Sequence, residues 1–157
     1  RRPINNIHLK SGYYAKKHIK RQREAVALSA MQCIIALLIK MRLPMDCLFC
    51  KIAQGAIPAS VVFEDSEIMA FRDLNPQAPQ HLLIIPKQHI ATLNDASDEN
   101  QALLGKMILG AKKIAQAEGI SDAGYRLVFN INPDGGQTVY HIHLHLLGGR
   151  HMTWPPG

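Results

Sequence analysis

The chain has 157 residues, with eighteen Lys or Arg against twelve Asp or Glu and a formal charge of +6. That length suits one hydrophobic core with an appendage rather than two full domains. The charge is lopsided: residues 1–44 hold ten bases and one acid, for +9, while residues 45–157 hold eight bases and eleven acids, for −3. The later part therefore lacks the basic, aromatic-studded surface that nucleic-acid binding requires.

Residues 1–44 read as an extension outside the fold. Arg1 to Arg23 is basic and polar, and Ala25 to Ile39 is an apolar run broken by Ser29 and Gln32. This run is shorter than the roughly 20 residues of a spanning helix, and its composition suits a targeting segment or appended upstream sequence. Membrane insertion is not expected of the core, which is taken as residues 45–157. Cys33, Cys47 and Cys50 are too few and too unevenly spaced for a disulfide framework, so a reducing, cytoplasmic setting is expected.

From Met45 onward short apolar runs alternate with turn residues. A short helix is predicted over Leu48 to Gln54, ending near Gly55. Strands are predicted over Val61 to Glu64, Ile68 to Asp73 and His81 to Pro86. A long helix follows, capped by Asp95 or Ser97 and ended by Gly119; Leu103, Leu104, Met107, Ile108, Ala111, Ile114 and Ala115 recur on it at helical spacing. Strands over Tyr125 to Asn130 and Tyr140 to Leu147 complete the pattern. Most strands follow one another without an intervening helix, so an α+β fold with a five-stranded antiparallel sheet is expected.

In the last strand His141, His143 and His145 alternate with Ile142, Leu144 and Leu146. Strand geometry would put all three imidazoles on one face, neighbours about 6.5 Å apart along the backbone, and the aliphatics on the core side. Two uses compete for three such rings, metal binding and a division of nucleophile, phosphate contact and proton handling. Gly135, Gly136, Gln137 and Thr138 lie just upstream and read as a phosphate cradle of backbone N–H groups and polar side chains.

Gly135 to Arg150, GGQTVYHIHLHLLGGR, resembles the active-site signature of the histidine-triad (HIT) family, in particular the Hint branch of bacterial type. The likeness extends through Ala70 to Pro79, His81 to His89 and the terminal Trp154-Pro155-Pro156-Gly157, and covers residues 45–157. It implies a HIT-like fold, a homodimer with a ten-stranded sheet across its interface, and hydrolysis of purine nucleoside 5′-phosphoramidates such as AMP-NH2 or lysyl-AMP through a nucleotidyl-histidine intermediate. By motif, His143 would attack the α-phosphorus, His145 and Asn130 would hold phosphate oxygens, and Gly136, Gln137 and Thr138 would serve the cradle and the leaving-group side. His141 would orient or relay. Asp73 would take the ribose hydroxyls, Leu48, Phe49, Ile52, Phe71 and Leu74 would form the purine slot, and Trp154 would approach the partner's site.

Catalysis of this kind needs no cofactor, but a structural zinc is the open alternative use of the cysteines. Cys47-x-x-Cys50 supplies half of a tetrahedral site. Some members of the wider family add the histidine preceding the strand Leu82 to Pro86 and the first triad histidine, here His81 and His141, although the Hint branch in general lacks the metal. Two rival activities keep the same histidines: a nucleotide-binding regulatory module with little turnover, and a dinucleoside polyphosphate hydrolase of the Fhit type. The second usually has glutamine where this chain has Val139.

Overall fold

A computed structural model describes residues 46–156; the expectations for residues 1–44 lie outside that range. Helix α1 (Leu48–Ala53) turns its apolar positions Phe49 and Ile52 inward and ends where Gly55 and Ala56 donate back to the carbonyls of Ile52 and Lys51. Strands β1 (Val61–Glu64), β2 (Ile68–Arg72) and β3 (Gln80–Pro86) follow as an antiparallel meander. Two single 3₁₀ turns then lead into helix α2 (Gln101–Ala117). The predicted start near Ser97 is a cap on the second of these turns, with the Ser97 N–H donating to Asn100 Oδ1 at 3.0 Å, and the α-helix proper begins four residues later. Strands β4 (Tyr125–Phe129) and β5 (Leu144–Gly148) close the order β1-β2-β3-β5-β4. The expected five-stranded antiparallel sheet with one long and one short helix is thus observed.

The two faces of the sheet carry different cores. Even-numbered positions Ile68, Ala70, Leu82, Ile84, Leu144 and Leu146 face α2, where Met107, Ala111, Ile114 and Ala115 pack on them. The alternation of a strand sends Met69, Phe71, Leu83 and Ile85 to the opposite face, where they meet Phe49 and Ile52 of α1. That second cluster is smaller, because α1 spans only six residues and leaves part of the face open. No helix among the described residues is long and apolar enough to cross a membrane.

Candidate active site

The antiparallel register of β3 and β5 decides where each histidine goes. His81 stands opposite Leu147 and Leu83 opposite His145, so His81 and His145 are diagonal neighbours on one face. Continued backward, that register would set Ile142 opposite Pro86, which has no N–H to offer a ladder. Pairing stops at Ile84 and Leu144, and the Ile142 N–H donates instead to the Ile90 carbonyl at 2.7 Å. This corrects the predicted strand: β5 begins at Leu144 rather than Tyr140, and only His145 of the three histidines lies within it. The alternation nevertheless persists, with Ile142, Leu144 and Leu146 buried in the α2-side core and the His143 and His145 ring centroids 5.0 Å apart.

Backbone carbonyls assign the tautomers of two rings. His143 Nδ1 lies 2.8 Å from the His141 carbonyl oxygen, an acceptor only, so Nδ1 carries the proton and donates. The lone pair of the neutral ring is therefore on Nε2. His141 is turned the other way: its Nε2 lies 2.8 Å from the Pro86 carbonyl, which leaves the lone pair on Nδ1.

A cavity opens between α1, the end of β2 and the triad segment. Of the predicted binding residues, Leu48, Phe49, Ile52, Phe71, Asp73, Leu74, Thr138, His143 and His145 line it, joined by Ile57 to Ser60, Arg72, Leu83 and Val139, to which the sequence reading gave no binding role. Asp73 keeps acceptor capacity, since its Oδ1 takes only the Asn75 N–H at 2.8 Å. Asn130, Gly136, Gln137 and Trp154 do not line the cavity.

The predicted phosphate cradle needs correction. The Gly136 and Gln137 N–H groups donate within their own turn, to Pro133 and Asn132. The Gln137 side chain is buried and accepts the Asn132 N–H while donating to the Ala91 and Val139 carbonyls at 2.7 and 3.1 Å. A buried amide must satisfy itself, and this one is spent on backbone, so Gln137 shapes the loop instead of offering hydrogen bonds to an anion. Gly135 is required for the same turn, because a Cβ there would run into the Ile131 carbonyl oxygen. Thr138 is the cradle residue left at the cavity wall. Trp154 is exposed on the C-terminal tail.

The cysteines group with His89 and not with the expected His81. The donor atoms of Cys47, Cys50, His89 and His141 lie within 4.8 Å of one another, whereas His81 falls in a separate group with Asp73 and His145. The reason is again the register: His81 and Pro86 are at opposite ends of β3, and His141 and the cysteines are at the Pro86 end. Within the group, His89 Nδ1 and His141 Nδ1 are 3.3 Å apart, and sulfur-to-nitrogen separations are 3.3, 3.4 and 3.5 Å. A tetrahedron with metal–ligand bonds of about 2.0–2.3 Å has edges of about 3.3–3.8 Å, so the set fits zinc. The His141 lone pair on Nδ1 points the right atom into it. Burial, followed by the neighbouring Cys47, pushes the Cys50 thiol up to about 12, and a divalent cation is the charge that would let such a pair ionise.

The model of the family described as HIT domain matches residues 54–152, more than half of the chain. The protein belongs to the HIT domain family. It is 54% identical over 105 residues to the purine nucleoside phosphoramidase of Escherichia coli, covering 67% of this chain and 88% of that one. A crystal structure of a HIT family hydrolase from Legionella pneumophila is 71% identical with a TM-score of 0.71, covering 71% of this chain and all of that one. A zinc-bound histidine triad family protein from Mycobacterium smegmatis is 31% identical with a TM-score of 0.59, covering 68% of this chain and 77% of that one.

Within this HIT domain burial favours the neutral form of four histidines. Burial, reinforced by neighbouring imidazoles, brings His141 and His145 down to about 4, and burial also lowers His81 and His89. For His145 the folded value lies below the ordinary 6.5, so between about pH 6.5 and 4 the unfolded chain binds a proton that the folded one refuses. Stability is therefore complete above about pH 7 and falls as the pH drops through that window, with His145 contributing of order 1–2 kcal/mol after allowance for its partial exposure. Urea midpoints at pH 7.5 and 5.0 should converge in His145→Gln relative to the unsubstituted protein; an unchanged pH dependence would contradict the assignment.

His89 is the residue that sequence reasoning missed. Its signal was its place three residues beyond Pro86, near the point where the chain must leave the β3 ladder. Using that signal requires knowing that β3 pairs with β5, two strands far apart in sequence.

Proposed function

We propose that this HIT domain hydrolyses purine nucleoside 5′-phosphoramidates through a covalent nucleotidyl-histidine on His143. The observation that carries the reading is the His143 Nδ1–H bond to the His141 carbonyl, which leaves an imidazole lone pair on Nε2 of a ring at the cavity wall. A neutral imidazole is a capable nucleophile, and a two-step route replaces one difficult displacement by water. Nε2 attacks the α-phosphorus, the P–N bond breaks, and the amine leaves with a proton; water then cleaves the P–N bond to His143. Thr138 lines the same cavity and the His145 ring centroid is 5.0 Å from that of the reacting ring, where fixed donors disperse phosphate charge. Asp73 suits the ribose hydroxyls, and the apolar wall of Phe49, Ile52 and Phe71 suits a purine. The identity with the Escherichia coli phosphoramidase supports the same substrate class.

The test is AMP release from adenosine 5′-phosphoramidate by the purified chain. Steady turnover is expected, and AMP binding without hydrolysis would replace this reading by that of a binding module.

Zinc at Cys47, Cys50, His89 and His141 would serve a structural role, tying α1 to the segment before β5, and the nucleophile does not depend on it. One equivalent of zinc per chain is expected by elemental analysis after reconstitution. Cys47→Ser and His89→Ala should lower that stoichiometry at least severalfold, whereas His81→Ala should leave it unchanged; retention of zinc in His89→Ala would refute the ligand set.

The free thiols of Cys47 and Cys50 suit a cytoplasmic setting. We also propose a homodimer: β4 forms one edge of the sheet with an unpaired row of backbone groups, and a second copy there would give ten strands.

A further inference from the structure

Cys47 and Cys50 stand at the start of α1 in unlike surroundings. Cys47 caps the helix from an extended backbone, and Cys50 is the third residue within it. Residues three apart at a helix start share a face, with about 5–6 Å between Cβ atoms, and these two sulfurs lie within 4.8 Å of each other. A disulfide has an S–S bond of about 2.05 Å and accommodates Cα separations of about 4.4–6.8 Å, so small side-chain and cap adjustments close the bond without unwinding α1. Cys47 is partly exposed and Cys50 is buried, so an oxidant from solution meets Cys47 first, with Cys50 held beside it. The sulfurs are also what tie α1 to the rest of the site: Cys47 Sγ is 3.4 Å from His141 Nδ1, and Cys50 Sγ is 3.3 and 3.5 Å from His89 and His141. Between the two cysteines, Phe49 lines the nucleotide cavity and sets its ring edge-on to His143 and His141, at centroid distances of 5.2 and 6.0 Å. A helix of six residues has little stability of its own, so its position depends on these contacts.

We infer that Cys47 and Cys50 are a reversible oxidation site, at which hydrogen peroxide converts the pair to a disulfide, withdraws both sulfurs from His89 and His141, and loosens α1 over the nucleotide cavity. Oxidation takes two steps. The Cys47 sulfur attacks one peroxide oxygen, the O–O bond breaks, and one water leaves as Cys47 becomes a sulfenic acid. The Cys50 sulfur then attacks that sulfur, the S–O bond breaks, and the hydroxyl leaves with the Cys50 proton as a second water. The two sulfurs give up two electrons, and the two peroxide oxygens end as water. A dithiol reverses the reaction by thiol–disulfide exchange. Zinc binds thiolates and a disulfide offers none, so the two states of the pair exclude each other, and two imidazoles alone do not complete a tetrahedron. A transient disulfide of this kind suits a reducing compartment, where pairs that sense oxidants cycle. The effect on nucleotide rests on the phosphoramidase reading and the release of zinc on the proposed ligand set; formation of the disulfide rests on neither.

The experiment uses the full chain with Cys33→Ser, so that only the pair responds, reconstituted with zinc and then treated with hydrogen peroxide. Both remaining thiols should disappear together, peptide masses should show a Cys47–Cys50 disulfide with no oxygen added to either sulfur, and zinc should appear in a chromogenic chelator in step. Amide exchange over Leu48 to Ala53 should accelerate severalfold, and AMP affinity by calorimetry should fall at least about fivefold, the lower end of couplings between linked sites. Dithiothreitol and fresh zinc should reverse all four changes. In Cys50→Ser, which cannot form the disulfide, peroxide should leave AMP affinity where that variant began. Oxygen added at Cys47 without a disulfide would overturn the inference, as would a disulfide that leaves both the α1 exchange and the AMP affinity unchanged. If the reduced protein binds no AMP, the reading of the cavity fails while the masses and the exchange still decide the oxidation site; if it takes up no zinc, the ligand set fails and the same two measurements decide. If Cys50→Ser does not fold, the reversal by dithiothreitol decides alone.

Discussion

His143→Ala should lower the rate of adenosine phosphoramidate hydrolysis by at least about 10³-fold, or ~4 kcal/mol of transition-state stabilisation. The ring is the single cavity group whose lone pair the backbone has directed to Nε2, so no neighbour can take its place. His145, 5.0 Å away, has its Nδ1 tied to His81. Because Asp73, Phe71 and the α1 wall are untouched, AMP affinity should change by less than about tenfold, so the loss falls on kcat and not on KM. Single-turnover assays with calorimetric AMP titration separate the two. A variant that retains a tenth of the original rate would show that the nucleophile lies elsewhere.

Ile84→Ala should be the most destabilising of the conservative core substitutions. Ile84 is fully buried at the centre of β3, paired with Ala70 on one side and Leu144 on the other. Met107 and Ala111 of α2 belong to the same cluster. Strands held by ladders on both edges cannot close over a deleted side chain, so the cost should reach the upper part of the usual range of about 2–5 kcal/mol. For a domain of this size the melting temperature should fall by roughly 10–20 °C. Leu74→Ala, at a position 99% exposed, should stay within about 0.5 kcal/mol and serves as the control. Equal melting temperatures for the two variants would invalidate the core assignment.

Much of the architecture was legible in the sequence because the relevant signals are local. Apolar positions at helical spacing marked α2, short continuous apolar runs marked β2 and β3, and turn residues marked the breaks between them. The side of the sheet that the proposed nucleophile takes was legible too: His143 sits between aliphatics that must be buried, which turns its ring to the opposite face. The resemblance of the segment Gly135 to Arg150 to the histidine-triad signature carried the residue roles and pointed to the family that the match over residues 54–152 establishes.

What failed were the readings that depended on which atoms meet across the sheet. Gln137 looked like a ligand-binding amide, but its NH₂ donates to the Ala91 and Val139 carbonyls and its Oε1 accepts the Asn132 N–H. His81 and His89 look equally eligible as metal ligands when only spacing is known, because each follows or precedes the same strand. The sequence by itself determined the elements, the buried faces and the chemical identity of the triad, since each follows from side-chain type and a period of a few residues. The tertiary structure alone decided that His89 joins the cysteines and that His81 stands against His145. That division follows from the pairing of β3 with β5, which joins segments about sixty residues apart through hydrogen bonds that leave no periodic trace in either one.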